Sequence, residues 1–289
     1  MIGSMRKMTQ DAVRRKYALA AFDCPSLEFM RAAIVAAENQ KAPVVMMTTQ
    51  KDEEFAGGFK LAFAAYQVLA KKASVPVALH LDHGRSYEVV VAAIKAGYES
   101  VMIDASALPY KENVALTKKV VKLANKHGVF VQAELGALLE HVLGTKKKFD
   151  VKNLKQFYTD PRAAADFVKQ TGVDTLAVSI GNLHGAIKYA IRNPRLDFAR
   201  LKEIVKSVKV PIIMHGTSEI SKENLKKLVR AGIRTANFRT DYFDAFTKGI
   251  RQNAPKKEDP RDYLGFAEKK TVRVMEQKII ALNAKNKAK

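Results

Sequence analysis

Residues 75–84 read VPVALHLDHG, an apolar run that ends in an aspartate, a histidine and a glycine. A short aliphatic run introduced by a proline is typical of a buried strand. The same arrangement returns in residues 42–48 (APVVMMT) and in residues 210–216 (VPIIMHG). These stretches predict a sheet of buried strands whose carboxyl ends carry polar side chains.

Amphipathic segments separate the apolar runs along nearly the whole chain. Residues 27–40 (LEFMRAAIVAAENQ) and residues 113–128 (NVALTKKVVKLANKHG) place apolar side chains at helical spacing. Eight strands that alternate with helices in a chain of 289 residues predict a (β/α)8 TIM barrel with an extra C-terminal helix. The predicted strands are residues 18–23, 44–48, 77–81, 100–103, 129–134, 175–179, 212–214 and 235–238.

We expect a single domain over residues 1–289, with the barrel at about residues 17–252 and the last helix at about residues 260–283. A doubly wound open sheet is the alternative, although no G-x-G-x-x-G follows the first strand, so a dinucleotide site has no support. Residues 138–157 interrupt the alternation of strands and helices. A connection of this length is typical of a lid or a mobile active-site loop.

The net charge of +21 first suggests a nucleic-acid partner. The lysines and arginines are spread over the predicted helices and the tail, however, so we expect no specific nucleic acid and a solvated basic surface. Such a field also favours small anionic substrates such as sugar phosphates. The apolar runs are too short to cross a membrane, and a single cysteine, Cys24, fits a reducing cytoplasm.

Polar residues stand at the carboxyl ends of the predicted strands, where a β/α barrel carries its chemistry. A random distribution would place them equally on helices and on the opposite loops, so their convergence predicts an active site. The residues are Asp23, Thr48, Thr49, Asp82, His83, Asp104, Glu134, His184, His215 and Asn237.

His83, His184 and His215 are three of the six histidines and belong to this set. A lone histidine at a strand end is more often a structural hydrogen-bonding residue. Three imidazoles with an open fourth position, however, are typical of a catalytic zinc site. His80 alternates with Asp82 along its strand, and its structural interpretation stays open.

Glycines follow two of these histidines, at Gly185 and Gly216. A glycine there lets backbone N–H groups approach an anion, and the start of a following helix completes a phosphate cradle. In a β/α barrel the loops after strands seven and eight often bind phosphate. Here those loops contain HGTSE (residues 215–219) and NFRTD (residues 237–241).

Several long motifs, in this order, resemble those of the class II (zinc-dependent) ketose-bisphosphate aldolase family, which includes fructose-bisphosphate and tagatose-bisphosphate aldolases. The resemblance covers about residues 17–252. Its motifs are VPVALHLDHG, SVMIDAS, NVALTKKVV…VFVQAELG, YTDPRAAADFVKQTGVDTLAVSIGNLHGAIK and LDFARLKEIVKSVKVPIIMHGTS.

The resemblance implies a bound Zn²⁺, or another divalent metal in its place. His83, His184 and His215 would be its ligands, and Asp104 and Glu134 would be carboxylates behind these ligands or at a second metal. A monovalent cation, Na⁺ or K⁺, is implied beside the substrate phosphate.

The implied reaction cleaves or forms a ketose 1-phosphate or ketose bisphosphate, with dihydroxyacetone phosphate and an aldehyde as the products of cleavage. Zinc would stabilise the enediolate, and Asp82 would be the acid/base at the substrate hydroxyl. The positions expected to bind substrate are Asp23, Thr49, Gly185, Gly216, Thr217, Ser218, Asn237, Arg239 and Thr240.

The sequence departs from the family pattern at both edges of the site. The usual asparagine after strand one is Asp23, and the usual Gln-x-Ser of strand two is Met47-Thr48-Thr49. The family's Gly-Gly-x-Glu-Asp loop is replaced by residues 139–143 (LEHVL), where Glu140 or His141 is the expected substitute for the acid.

Arg239 stands where the family's Asn-x-Asp/Asn-Thr motif has a carboxylate or an amide. It could bind a second anionic group bidentately, or it could pair with Glu219 or Asp241. Other hypotheses are a zinc-dependent lyase or isomerase acting on another anionic substrate, and a catalytically inactive family member with a binding role. The resemblance also implies a homodimer or a homotetramer.

Overall fold

The computed structural model describes residues 1–136, 155, 157–182 and 194–288. Within these ranges eight parallel strands pair in chain order, and the first strand also pairs with the last. The sheet is therefore a closed barrel, which confirms the predicted (β/α)8 fold and excludes the open sheet. The strands are β1 (Leu19–Asp23), β2 (Val44–Thr48), β3 (Val77–Gly84), β4 (Ser100–Ile103), β5 (Phe130–Leu135), β6 (Thr175–Val178), β7 (Ile212–Met214) and β8 (Ile233–Phe238).

The strands are buried almost throughout, and β1 and β2 are buried at every position. One face of each strand fills the barrel interior and the other lies under the helices, so both faces select apolar side chains. This double burial is the reason that the strands appear in the sequence as continuous apolar runs.

The end of β3 differs from its predicted end at residue 81. The strand continues to Gly84, with a register shift against β4 between Leu81 and Gly84. His83 adopts a φ of 46° within this shift, which is uncommon for a residue with a side chain. The irregular pairing re-aims the side chains of Asp82 and His83 at the end of the barrel.

Helices surround the barrel and also close its amino-terminal end. Helix α1 precedes β1, and Gly3 N–H beside it donates to the Val77 carbonyl (2.7 Å), at the first residue of β3. The C-terminal helix α11 begins after the cap residue Asp259 and packs on α2 and α10. In the described ranges the helices are α1 (Met5–Arg15), α2 (Leu27–Asn39), α3 (Gln50–Ala56), α4 (Phe59–Lys72), α5 (Tyr87–Ala96), α6 (Tyr110–Lys126), α7 (Pro161–Thr171), α8 (Phe198–Ser207), α9 (Lys222–Ala231), α10 (Thr240–Asn253) and α11 (Pro260–Ala281).

None of the helices in those ranges combines the length and the apolar character that a membrane span requires.

Candidate active site

A cavity of about 590 Å³ opens at the carboxyl ends of the strands. The strand-end rule for β/α barrels placed the predicted site at this face. Polar and charged side chains dominate the wall of the cavity. The residues that line it are Asp23, Met47, Thr49, Gln50, Lys51, Glu54, Asp82, His83, Arg85, Gly216, Ser218, Glu219, Asn237, Phe238, Arg239 and Thr240.

His83 lies between a carboxylate and a second imidazole. Its Nδ1 is 2.7 Å from Oδ2 of Asp104, and its Nε2 is 3.0 Å from Nδ1 of His215. An Nδ1–H that donates to Asp104 leaves the Nε2 lone pair available to a metal. Asp104 is held in turn by the hydroxyl of Ser106 (2.7 Å).

His215 follows β7, and its Nδ1 faces Nε2 of His83. The same Nδ1 is 3.7 Å from Oε2 of Glu134, and the two imidazole rings meet edge to face, with centroids 4.7 Å apart. The opposite nitrogen, Nε2, contacts the side-chain amides of Gln132 (2.6 Å) and Asn237 (3.2 Å). These amides fix the orientation of the ring.

The donor groups fit a divalent cation. In the described part of the chain, two sets of ligand atoms lie within 4.8 Å of one another: Asp82 with His83 and His215, and His83 with Asp104 and Glu134. Both oxygens of Glu134 are buried and lack a hydrogen-bond partner of standard geometry among the described residues. Imidazole nitrogens and carboxylate oxygens are the ligands of zinc and of similar divalent metals.

The pKa values of His83 and Glu134 reflect the several carboxylates that lie close together in the cluster. Burial alone would lower the pKa of His83, but the carboxylates of Asp82, Asp104 and Glu134 outweigh it and raise the pKa to about 10. Burial, followed by repulsion from Asp104, raises the pKa of Glu134 well above its usual value. A metal would therefore compete with protons for the ligand atoms of the cluster.

The loop after β7 and the start of α10, which the sequence predicts to form a phosphate cradle, lie beside the cluster. Gly216 adopts a φ of 64°, and the Ser218 hydroxyl accepts hydrogen bonds from the backbone N–H groups of Arg239 (3.0 Å) and Thr240 (3.2 Å). Thr240 is the first residue of α10, whose N-terminus has a positive dipole end that favours an anion. The Thr217 hydroxyl donates to the Asn237 carbonyl (2.6 Å) and ties the two loops together.

Thr49 and Arg239 line the cavity but belong to neither set of possible metal ligands. Thr49 caps α3 in a reciprocal hydrogen-bond arrangement with Asp52. Nε of Arg239 lies 2.8 Å from Oδ2 of Asp23, so the ion pair described for Arg239 is with Asp23 and not with the expected Glu219 or Asp241. Asp241 pairs with Lys278 of α11 (2.5 Å).

Four predicted site residues, Glu140, His141, His184 and Gly185, lie outside the described residues. So does most of the predicted lid at residues 138–157. The segment before His184 is described as far as Asn182, which is buried and donates to the His215 carbonyl (3.1 Å). This hydrogen bond ties the end of that segment to the end of β7.

Gln132 and Asn182 were not predicted as site residues. Gln132 is a buried polar residue two positions before Glu134 in β5, and this spacing, which places both on one face of the strand, is the signal that could have identified it. His80, left open by the sequence, is structural: its Nδ1 lies 2.7 Å from the Ser100 hydroxyl. Burial lowers the pKa of His80 to about 4, so its imidazole stays neutral.

Replacing Gln132 with methionine should weaken metal binding by about 10- to 100-fold, because the amide that orients His215 is lost while the volume is kept. Competition titration against a chromogenic chelator measures the affinity. Gln170→Met, at an exposed glutamine of α7, is the matched control and should bind metal as the parent protein does. An unchanged affinity in Gln132→Met would show that the amide does not orient His215.

Known proteins match this chain over nearly its whole length. Residues 3–287 match the family described as "Fructose-bisphosphate aldolase class-II". The chain is 39% identical to a probable fructose-bisphosphate aldolase of Bacillus subtilis (91% of each chain covered). It is 38% identical to the fructose-bisphosphate aldolase of Geobacillus stearothermophilus (91% of this chain and 90% of the relative covered). Among solved structures, the YdjI aldolase of Escherichia coli K12 is 32% identical, with a TM-score of 0.85 over 100% of both chains.

The described residues form a (β/α)8 barrel with possible divalent-metal ligands at the carboxyl ends of its strands. The sequence match over residues 3–287 makes the assignment specific: the chain belongs to the class II fructose-bisphosphate aldolase family. The predicted family resemblance is confirmed.

Proposed function

We propose that the protein is a metal-dependent aldolase that acts on a ketose 1-phosphate or a ketose bisphosphate and releases dihydroxyacetone phosphate and an aldehyde. The observation that carries the proposal is that possible metal ligands and the predicted phosphate cradle line the same cavity. Of the residues that line the cavity, Asp82 and His83 belong to the cluster, and Gly216 and Ser218 belong to the cradle.

His83 and His215 would hold the metal together with His184, and Asp104 and Glu134 would support them. We propose zinc, or another divalent metal in its place, because the donors are nitrogen and oxygen atoms. When bound, the metal supplies a Lewis acid that stabilises negative charge on the carbonyl oxygen of the substrate.

Asp82 is the proposed acid/base. Its carboxylate lies on the cavity wall beside His83, with Oδ1 3.9 Å from Nε2 of that histidine. The amide of Asn237 donates to the same oxygen (3.3 Å) and orients the carboxylate. A carboxylate next to the metal ligands is in position to take the proton of the substrate hydroxyl as the carbon–carbon bond breaks.

Gly216, Ser218 and Thr240 form the proposed phosphate end of the site, together with Gly185 and Thr217. The backbone N–H groups of Gly216 and Ser218, the Ser218 hydroxyl and the N-terminal dipole of α10 suit a dianionic phosphate. A monovalent cation, Na⁺ or K⁺, is proposed to share this phosphate. Residue 140 or 141 is the proposed acid/base for the carbon atom of the donor substrate.

The remaining proposals concern the whole molecule. We propose a single domain over residues 1–289, a homodimer or homotetramer, and a cytoplasmic location. Size-exclusion chromatography with light scattering tests the oligomeric state.

The reaction is tested by a coupled assay for dihydroxyacetone phosphate with a panel of ketose 1-phosphates and ketose bisphosphates. We expect release from at least one substrate, inhibition by a chelator, and recovery when a divalent metal is restored. Release that persists in the metal-free protein would contradict metal dependence. No release from any member of the panel by the metal-loaded protein would contradict the aldolase proposal.

A further inference from the structure

Asp23 and Arg239 form an ion pair on the wall of the cavity. Their side chains join the ends of β1 and β8, with Nε of Arg239 2.8 Å from Oδ2 of Asp23. The Asp23 side chain is 2% exposed, whereas the Arg239 side chain is 46% exposed. The buried carboxylate thus anchors one edge of a guanidinium group that remains accessible from the cavity.

The surroundings restrain both members of the pair. The guanidinium carbon of Arg239 lies 5.1 Å from the ring centroid of Phe243. The Tyr242 hydroxyl lies 2.8 Å from the carbonyl oxygen of Asp23 and 2.9 Å from that of Phe238, so its one proton is shared between the ends of the two strands. The contacts with Asp23 and Phe243 restrict the Arg239 side chain, so less entropy is lost when it binds a ligand.

The pair leaves donor groups of the arginine available. A guanidinium group has five N–H donors in a planar fork. Oδ2 of Asp23 contacts one of the three nitrogens, Nε. Among the described residues, no other acid lies within ion-pair distance of Arg239. The two terminal nitrogens have the geometry that binds a carboxylate or a phosphate bidentately.

Further cations line the cavity on the side of Arg239 that lies away from the phosphate cradle. The order around the barrel is β7, β8, β1, β2 and β3. Gly216 and Ser218 follow β7, whereas Lys51 follows β2 and Arg85 follows β3. Glu54 and Glu219 also line the wall, so the charge there is mixed. Arg239 is the cation on this wall whose orientation is fixed by a buried carboxylate.

We infer that Arg239, positioned by Asp23, is a specificity-determining residue that binds an anionic group at the aldehyde end of the substrate. The inference rests on the proposed aldolase function and narrows its substrate class to ketose 1-phosphates with a terminal carboxylate or phosphate. Both residues stand where the sequence departs from the family pattern, and the structure brings these two departures into contact. They act as one unit: Arg239 contacts the ligand, and Asp23 orients Arg239.

Non-cleavable ligands test the inference without turnover. The ligands lack the reactive carbonyl and differ only at C6, the aldehyde end of the substrate. They are hexitol 1-phosphate, hexitol 1,6-bisphosphate and the hexitol 1-phosphate with a carboxylate at C6. Calorimetric titration of the metal-loaded protein gives a dissociation constant for each ligand. We expect at least one of the two anionic ligands to bind about 10- to 100-fold more tightly than hexitol 1-phosphate, as a charge-assisted hydrogen-bond pair provides. The preferred ligand shows whether the group is a carboxylate or a phosphate.

Arg239→Gln should remove most of this preference, and Asp23→Asn should reduce it less, because the arginine remains but loses its anchor. Arg251→Gln removes an exposed arginine of the same helix and should leave the preference unchanged. Equal affinities for all three ligands in the parent protein, or a preference that survives Arg239→Gln, would overturn the inference. Failure of the aldolase proposal is separate, since it would appear as absent dihydroxyacetone phosphate release alongside an intact ligand preference.

Discussion

Replacing Asp82 with alanine should lower turnover by about 10²- to 10⁴-fold, the contribution of a positioned general base. The metal should remain bound, because His83 and His215 keep their nitrogens directed at the same point. Turnover is measured by dihydroxyacetone phosphate release at saturating substrate, and metal content by elemental analysis of the same sample.

The control for this substitution is Asp262→Ala, an exposed acid of α11 whose partner is Lys257. It should retain both turnover and metal. Because the carboxylate of Asp82 also lies within reach of the metal-ligand cluster, the metal measurement decides its role. Near-normal turnover in Asp82→Ala would refute a role as base, and loss of the metal would make Asp82 a ligand.

Replacing His83 with alanine should have the other large effect, loss of stoichiometric metal together with loss of turnover. His83 belongs to both sets of ligand atoms, so no arrangement of the remaining described ligands replaces its nitrogen. Dialysis against trace-metal-free buffer, followed by elemental analysis and the release assay, measures both quantities.

His127→Ala is the matched control, since His127 is exposed at the C-terminal end of α6 and belongs to neither set of ligand atoms. That variant should keep its metal. A His83→Ala protein that retains one metal per chain after dialysis would remove His83 from the ligand set. Circular dichroism on both variants separates metal loss from unfolding.

The barrel was readable from the sequence because its strands are buried on two faces and appear as continuous apolar runs. β2, β4 and β7 have the predicted bounds. The end of β3 was misjudged, since Asp82 and His83 are polar and a polar residue is normally read as the end of a strand. The register shift that accommodates them is a tertiary feature with no local signal.

The site was predictable where one geometric rule applies and was missed where contacts join distant parts of the chain. The strand-end rule located Asp82, His83 and His215. It could not show that Gln132, inside β5, contacts His215. Asp23 and Arg239 were each visible as departures from the family pattern, but only the closed barrel brings β1 beside β8 and so joins them.

Metal-dependent activation of dihydroxyacetone phosphate is the central claim, and hydrogen exchange tests it without knowledge of the aldehyde. The protein is incubated with dihydroxyacetone phosphate in deuterium oxide, and the proton signal of the hydroxymethyl carbon is followed by nuclear magnetic resonance. We predict stereospecific loss of one of its two protons with the metal-loaded protein, and no loss above background after chelation. Absence of exchange with the metal-loaded protein, or exchange that is indifferent to the chelator, would contradict the claim.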